Sequence, residues 1–147
     1  MSIKKSIFRE CIRIAKEKNW NFPKALKKHH FSFVIQNNKI IEWGTNVSIC
    51  RGTEIVGAQS PKYRGYPDYA MFHSEAAAYK KARGLLDPKD DFEIVNVRMN
   101  TSGDILLSKP CDCCFAFLKT LNCNKVCFST KTGFATLNMR ETFHEEN

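Results

Sequence analysis

Apolar residues recur every three or four positions through the first part of the chain, and basic residues occupy the positions between them. The apolar positions are Ile3, Ile7, Cys11 and Ile14, widened by Phe8 and Ala15. This spacing predicts an amphipathic helix that has Ser2 as its N-cap and ends near Asn19. Because one side is apolar and the other is charged, we expect the helix to lie on a sheet with its basic side in water.

Shorter apolar stretches further along the chain have the composition and length of strands. They predict strands at residues 31–36, 39–47, 92–99, 125–130 and 134–139. Asn37 and Asn38 are expected to form a two-residue hairpin turn between the first two strands. Residues 131–133 are too few for the crossover that a parallel pair requires, so the last two strands should be antiparallel neighbours.

A long connection separates the second strand from two further helices. It runs from Ser48 to Met71 and interleaves basic with aromatic residues, namely Lys62, Tyr63, Arg64, Tyr66 and Tyr69. Loops of this length inside a compact domain are usually functional or mobile. The helix that follows should extend from residue 73 to about residue 84, where a glycine ends it, and the second from residue 111 to about residue 122.

Length and cysteine content limit the class of protein. The 147 residues are expected to form a single domain, residues 1–147. We find no apolar run as long as a membrane span and no signal-peptide core, so no membrane partner is expected. Three of the seven cysteines lie within four positions of one another. An odd number of cysteines without a secretory signal indicates thiols that are kept reduced, as in the cytoplasm.

The net charge of +8 is concentrated near the N-terminus. Residues 1–30 contain nine lysines and arginines against two glutamates, a net charge of +7. A clustered basic surface favours a polyanionic partner, although a solvated basic helix is the commoner origin of such a cluster.

Two short motifs carry the candidate chemistry. Residues 73–75 read His-Ser-Glu and residues 110–114 read Pro-Cys-Asp-Cys-Cys. Together they match the His-x-Glu and Pro-Cys-x-x-Cys signature of zinc-dependent deaminases. A catalytic zinc ion takes three protein ligands and keeps one position open, and His73, Cys111 and Cys114 supply that set. The two cysteines are three positions apart, so they share one face of a helix whose N-terminus favours thiolates.

Glu75 is predicted to be the catalytic acid–base group. Residues two apart on a helix point in nearly opposite directions, so His73 and Glu75 can flank one site only where that site meets the first turn. A carboxylate in this place can take a proton from the attacking water and return it to the ring nitrogen and to the leaving ammonia.

The cysteine cluster is also compatible with three alternatives to a catalytic zinc ion. A structural zinc site would need a second pair of ligands, which we do not find. A redox Cys-x-x-Cys would leave the His-x-Glu motif as a coincidence, and buried thiols without a function are the third alternative. Cys113 competes with Cys114 as a partner of Cys111, although side chains two positions apart on a helix diverge.

With these motifs on their expected elements, the chain resembles the cytidine deaminase superfamily from about residue 3 to residue 140. The resemblance implies an α/β fold with three α-β-α layers, in which a mixed five-stranded sheet carries helices on both faces. It also implies Zn²⁺ as the cofactor. The short turn before Pro110 and the final hairpin are similar to the group with antiparallel final strands, which comprises free-cytidine, blasticidin-type, toxin and RNA-editing deaminases. Lys109 stands where tRNA adenosine deaminases usually carry Glu, so cytosine is the expected base.

The resemblance also implies a substrate region. Asn46 matches the family's sugar-binding Asn, but Ser48 replaces its acidic partner, and His73 stands where free-cytidine deaminases usually have Cys. Phe31 resembles the family's base-packing aromatic, and an ordinary core residue fits its position equally well. The expected substrate-binding residues are Asn46, Phe31, Ser74, Tyr66, Lys62 and Arg64.

These departures and the basic residues favour cytosine in single-stranded DNA or RNA as the substrate, because its sugar hydroxyls are already esterified. A free cytosine nucleoside or nucleotide is the alternative substrate. A nucleic-acid-binding module that kept the fold without turnover is an alternative of another class, and the intact Glu75 counts against it.

Overall fold

A computed structural model describes residues 3–20, 29–46, 73–110 and 112–139 of the chain. Its first helix, α1, spans Lys5–Asn19. The end agrees with the sequence prediction, whereas the helix begins after Lys4, and the predicted cap at Ser2 lies outside the described residues. The predicted apolar stripe packs into the core, with Cys11 and Ala15 fully buried.

The sheet is mixed and lies between two layers of helices. Its strands are β1 His29–Gln36, β2 Lys39–Thr45, β3 Phe92–Met99, β4 Ile105–Leu106, β5 Cys123–Ser129 and β6 Phe134–Asn138. The order across the sheet is β2-β1-β3-β5-β6, and β4 pairs with the C-terminal end of β3. β4 is additional to the five predicted strands, and it was not predicted because two residues are too few to show an alternating pattern.

All neighbouring strands are antiparallel except β3 and β5, which run parallel. The parallel pair is joined through the third helix, as a crossover requires. β5 and β6 pair from Lys125 with Asn138 to Ser129 with Phe134, which confirms the predicted antiparallel final strands. The β1–β2 hairpin is also confirmed: Asn37 and Asn38 have φ angles of 53° and 60°, as a tight hairpin turn demands.

Helices cover both faces of the sheet, so the predicted three-layer α/β fold is confirmed. On one face, α1 packs against Phe31, Phe33 and Ile35 of β1. The other two helices, α2 (Ser74–Ala82) and α3 (Asp112–Lys119), lie over the second face, against residues that include Val34 and Ile94. Both helices end two or three residues before their predicted ends.

A glycine brings α2 unusually close to the sheet. A Cβ atom placed on Gly44 of β2 would lie 2.6 Å from the Ala78 nitrogen and 2.7 Å from the Ala77 Cβ. Real Cβ atoms do not approach other atoms this closely, so only glycine allows the present separation. The contact sets the position of the helix that begins with the His-x-Glu motif. Among the described residues, no helix has the length and hydropathy that crossing a membrane requires.

Candidate active site

The N-terminal end of α2 brings the His-x-Glu motif to one place. His73 is the N-cap residue, with an extended backbone at φ −113° and ψ 142°, and Glu75 lies in the first helical turn. Side chains two positions apart point in different directions only where both residues are helical. Because His73 precedes the helix, its side chain and that of Glu75 can face the same site. The arrangement agrees with the expectation that the site meets the first turn of the helix.

Cys114 of α3 completes the cluster. Its Sγ atom lies 3.2 Å from the Nδ1 atom of His73, and the candidate ligand atoms of His73, Glu75 and Cys114 all lie within 4.8 Å of one another. Cys114 is fully buried and Glu75 is 6% exposed. Within the described ranges, no second group of three such side chains lies this close.

The donor set fits a metal ion. Zinc bonds of about 2.0 Å to nitrogen and 2.3 Å to sulfur, at a tetrahedral angle, place the two donors about 3.5 Å apart. The nitrogen and sulfur of His73 and Cys114 are 3.2 Å apart, close to that separation. Cys111, the third predicted ligand, and the side chain of Cys113 lie outside the described part of the structure. The ligand set therefore stays a prediction, supported by two of its three members.

A hydrogen bond from the sheet holds the Glu75 carboxylate. The Nδ2 atom of Asn96, on β3, donates to Glu75 Oε2 at 3.0 Å. The hydroxyl of Ser74 lies 3.4 Å from Oε1 of the same carboxylate. Asn96 is itself tied to β1, because its Oδ1 atom accepts a hydrogen bond of 2.6 Å from the Ser32 hydroxyl. The carboxylate thus occupies a set position beside the two candidate metal ligands.

A cavity of about 290 Å³ opens next to the cluster. It is lined by His30, Asn46, His73, Ser74, Glu75, Ser108, Lys109 and Pro110. Asn46 is held at the end of β2 by a pair of bonds to His30: its Oδ1 accepts from the His30 amide at 3.1 Å, and its own amide donates to the His30 carbonyl at 3.3 Å. A small organic group would fit, since this volume is near the lower end for ligand pockets.

The structure brings some predicted substrate-binding residues to this cavity and leaves others away from it. Asn46 and Ser74 line it. Phe31 does not, because it is fully buried on the α1 side of the sheet, with its ring tilted against Trp43. Its neighbour Ser32 points to the opposite face, towards Ser74, as alternation along a strand dictates. The remaining predictions, Tyr66, Lys62 and Arg64, lie outside the described residues.

Sequence reasoning did not identify four residues at the site. They are Ser32, Asn96 and Ser108 in the hydrogen-bonded group and His30 at the cavity wall. A signal was present for Asn96, a polar residue among apolar neighbours at 94, 95 and 97. A buried amide in a strand needs a polar partner, so its position could have been linked to a site.

Three of the described cysteines behave as core residues. Cys11, Cys123 and Cys127 are buried, and burial raises the pKa of each thiol, which keeps it protonated. Cys11 and Cys127 belong to the cluster under α1, and Cys123 packs with Val126 beneath α2 and α3. The alternative of buried thiols without a function applies to these three cysteines, whereas Cys114 contacts an imidazole nitrogen.

Comparison with known proteins gives a likeness of fold. No protein-family model and no curated protein matches the sequence. The structure is similar to the crystal structure of cytidine deaminase from Mycobacterium leprae, with a TM-score of 0.54 and 14% sequence identity. The match covers 92% of this chain and 95% of that protein. At this level of identity the likeness is one of architecture, and it extends over nearly the whole chain.

Proposed function

We propose that this protein is a zinc-dependent hydrolytic deaminase that converts cytosine to uracil. One observation carries the proposal. An imidazole nitrogen, a cysteine sulfur and a carboxylate lie within 4.8 Å of one another beside a cavity that His73 and Glu75 line, and all three belong to the two motifs of the zinc deaminases. The similarity in fold to a cytidine deaminase supports this assignment.

His73, Cys111 and Cys114 would hold the zinc ion, which when bound supplies the Lewis acidity that makes water a nucleophile near neutral pH. Glu75 then acts as the proton carrier. It accepts a proton from the attacking water and delivers it to N3 of cytosine, and it then takes the proton of the hydroxyl formed at C4 and delivers it to the departing amino group. Water adds to C4 and the bond from C4 to the amino nitrogen breaks. The products are uracil and ammonia.

The cavity wall provides groups that can orient a substrate. Asn46 and Ser74 line the cavity together with Glu75, and so does Lys109, an exposed basic residue. In the proposed reaction these residues position the base and its sugar, while the burial of Glu75 and Cys114 keeps bulk water away from the reacting atoms.

A single strand of nucleic acid is the substrate that we propose. The net charge of +7 in residues 1–30 and the basic and aromatic residues between 62 and 69 supply groups for phosphates and stacked bases. Asn46 also lacks the acidic partner expected for a free sugar, since Ser48 stands in its place. The modest cavity volume of about 290 Å³ favours a second candidate, a free cytosine nucleoside or nucleotide.

A substrate panel tests the proposal, with Glu75→Gln as the key variant and Glu93→Gln as its matched control. Glu93 is a half-buried glutamate on β3, three residues before Asn96, and it does not line the cavity. The panel contains cytidine, deoxycytidine, their monophosphates, single-stranded DNA and RNA, and adenine counterparts. Uracil formation and ammonia release are measured together with zinc content.

We expect Glu75→Gln to retain zinc and to lose at least about a hundredfold in turnover, while Glu93→Gln is unchanged. Near-normal turnover in Glu75→Gln would show that another group carries the proton. Efficient turnover of a free nucleoside, with no activity on any single strand, would overturn the nucleic-acid assignment and leave the deaminase assignment in place.

A further inference from the structure

The Glu75 carboxylate is close enough to the candidate metal ligands to become one of them. One of its oxygens lies within 4.8 Å of both a ring nitrogen of His73 and the Sγ atom of Cys114. Carboxylates are ordinary zinc ligands, and a carboxylate that binds the metal fills the position that a catalytic site keeps open. At such a site, another group must therefore hold the Glu75 carboxylate away from the metal if Glu75 is to carry protons.

Asn96 makes hydrogen bonds that can hold the Glu75 carboxylate in this way. Its Nδ2 group donates to Glu75 Oε2 at 3.0 Å and to the Ser108 carbonyl at 3.3 Å, while its Oδ1 atom accepts from Ser32 at 2.6 Å. The two acceptors, on Glu75 and Ser108, lie beside the amide nitrogen of Asn96, and the donor, on Ser32, lies beside its amide oxygen. These partners therefore determine the orientation of the amide. Asn96 is only 3% exposed, so bulk water hardly competes for these bonds.

The two serines beside Asn96 make its bond to Glu75 the stronger tether. Each hydroxyl has one proton, and Ser32 uses its proton on Asn96. The contact of 2.7 Å between the Ser32 and Ser74 hydroxyls then requires Ser74 to donate to Ser32. With its single proton used on Ser32, Ser74 has none to donate to the Glu75 carboxylate 3.4 Å away, whereas Asn96 donates at 3.0 Å.

The backbone that carries Asn96 lies in a rigid part of the fold. β3 is a central strand with β1 on one side and β5 on the other. The Ser108 hydroxyl donates to the Asn96 carbonyl at 2.8 Å and also lies 2.8 Å from the Ser129 hydroxyl of β5. An amide held in this way can keep a carboxylate in place against the attraction of a nearby cation.

We propose that Asn96 is a positioning residue that keeps the Glu75 carboxylate out of the metal's ligand set and preserves it as a proton carrier. The proposal rests on the proposed function for the presence of the metal and for the role of Glu75. It extends that function because a residue outside both motifs would determine whether Glu75 binds the metal or acts as the base.

The test compares Asn96→Leu, which has nearly the same volume and no donor, with Gln36→Met. Gln36 is a matched control because it is a buried amide on β1 whose bonds go to Asp87 and Asp90, not to the site. Both variants and the wild type are loaded with cobalt(II), whose visible spectrum reports coordination number and geometry. Cytosine turnover is measured in parallel on the zinc forms, and circular dichroism establishes that each variant is folded.

We expect Asn96→Leu to show an altered cobalt spectrum, because a carboxylate oxygen would occupy the position that is otherwise open to water, and a turnover lowered about 10- to 100-fold with a smaller change in KM. The double variant Glu75→Gln with Asn96→Leu should regain the wild-type spectrum, because a neutral amide is a poorer ligand. Gln36→Met should match the wild type in spectrum and turnover. Where Asn96→Leu does not fold, Asn96→Ala leaves room for water and takes its place.

A wild-type cobalt spectrum in the folded Asn96 variant overturns the inference, whatever happens to turnover. A spectrum that changes equally in Asn96→Leu and in its double variant overturns it too, because Glu75 would then not be the added ligand. If the wild type releases no ammonia from any cytosine substrate but the spectrum of Asn96→Leu shifts as expected, the proposed reaction fails, and of the inference only the exclusion of Glu75 from the metal's ligand set stands.

Discussion

At the scale of single residues, the site consists of polar groups buried where the start of α2 meets the sheet. Ser32, Ser74, Glu75, Asn96 and Ser108 are each less than 7% exposed. Burying such groups is costly unless each has a hydrogen-bond partner, and here they bond to one another. Among the described residues, Arg98 Nε is the one buried side-chain nitrogen or oxygen atom without a partner. The group is therefore well satisfied, which is consistent with a role that requires precise placement.

The cysteine assignment gives a prediction at this scale. We expect one zinc ion per chain, lost in His73→Ala, Cys111→Ala and Cys114→Ala and retained in Cys113→Ala, because only cysteines three apart share a helix face. Metal analysis of purified variants measures this, with Cys123→Ala as a control for removing a buried thiol of the core. Full zinc content in Cys111→Ala, or loss confined to Cys113→Ala, would contradict the ligand set.

At the scale of elements, the position of the site depends on how α2 packs against the sheet. The helix has nine residues, too few to be stable on its own, so its packing on β1 and β2 must determine where its first turn lies. Gly44 controls that packing, because it lets the helix backbone approach β2 more closely than any side chain would permit. The same first turn carries Glu75 and follows His73.

Gly44→Ala should therefore lower both stability and activity. Its added Cβ would meet backbone and Cβ atoms of Ala77 and Ala78 at less than 3 Å, so the helix must move. Overpacking of this kind costs about 1–3 kcal/mol of unfolding free energy. Denaturant unfolding and turnover measure the two effects. Gly84→Ala is the control, since a Cβ there meets nothing within 4 Å, and equal stability of the two variants would refute the argument.

At the scale of the whole molecule, the charge is distributed unevenly, and part of it is already paired. Arg13 on the outer face of α1 binds Glu10 at 2.7 Å and Glu17 at 3.0 Å. The pKa of Glu10 is lowered by its hydrogen bond to Arg13. Both glutamates of residues 1–30 are thus engaged by one arginine, which leaves the excess of basic residues in this part of the chain.

Binding of single-stranded nucleic acid should weaken steeply with salt. The logarithm of the affinity should fall against the logarithm of salt concentration by about 0.7 for each phosphate contacted. Replacing Lys62 and Arg64 by alanine, or Lys27 and Lys28, should therefore flatten the slope by about 1.4 and leave zinc in place. Fluorescence anisotropy over a salt series measures the slope.

Lys39 and Lys89 provide the control pair for this experiment. Both are exposed, and they lie near the β1–β2 turn and in the α2–β3 connection, away from the residues that line the cavity. Their double alanine variant should keep the wild-type slope. An equal flattening in all three double variants would mean that the salt effect is a general consequence of net charge and not of a defined binding surface.

The sequence alone determined the local features of this protein. The period of apolar residues predicted the helix α1 and its C-terminal end, and β3 was predicted with the bounds that the structure has. The three residues between β5 and β6 were enough to predict an antiparallel pair, because a parallel connection needs a longer crossover. The types and spacing of His73, Glu75 and Cys114 indicated a metal-dependent hydrolytic site, because ligand chemistry is a property of residue type.

Only the tertiary structure decided which side of each strand faces the site. Both faces of this sheet are covered by helices, so apolar residues occur on both sides and alternation does not distinguish Phe31 from Ser32. The structure turns Phe31 towards α1 and Ser32 towards α2, where it meets Asn96 from 64 positions further along the chain. Contacts between residues so distant depend on strand order and register, which local patterns do not encode. For that reason Asn96, the residue that holds Glu75, was recognised only in the folded chain.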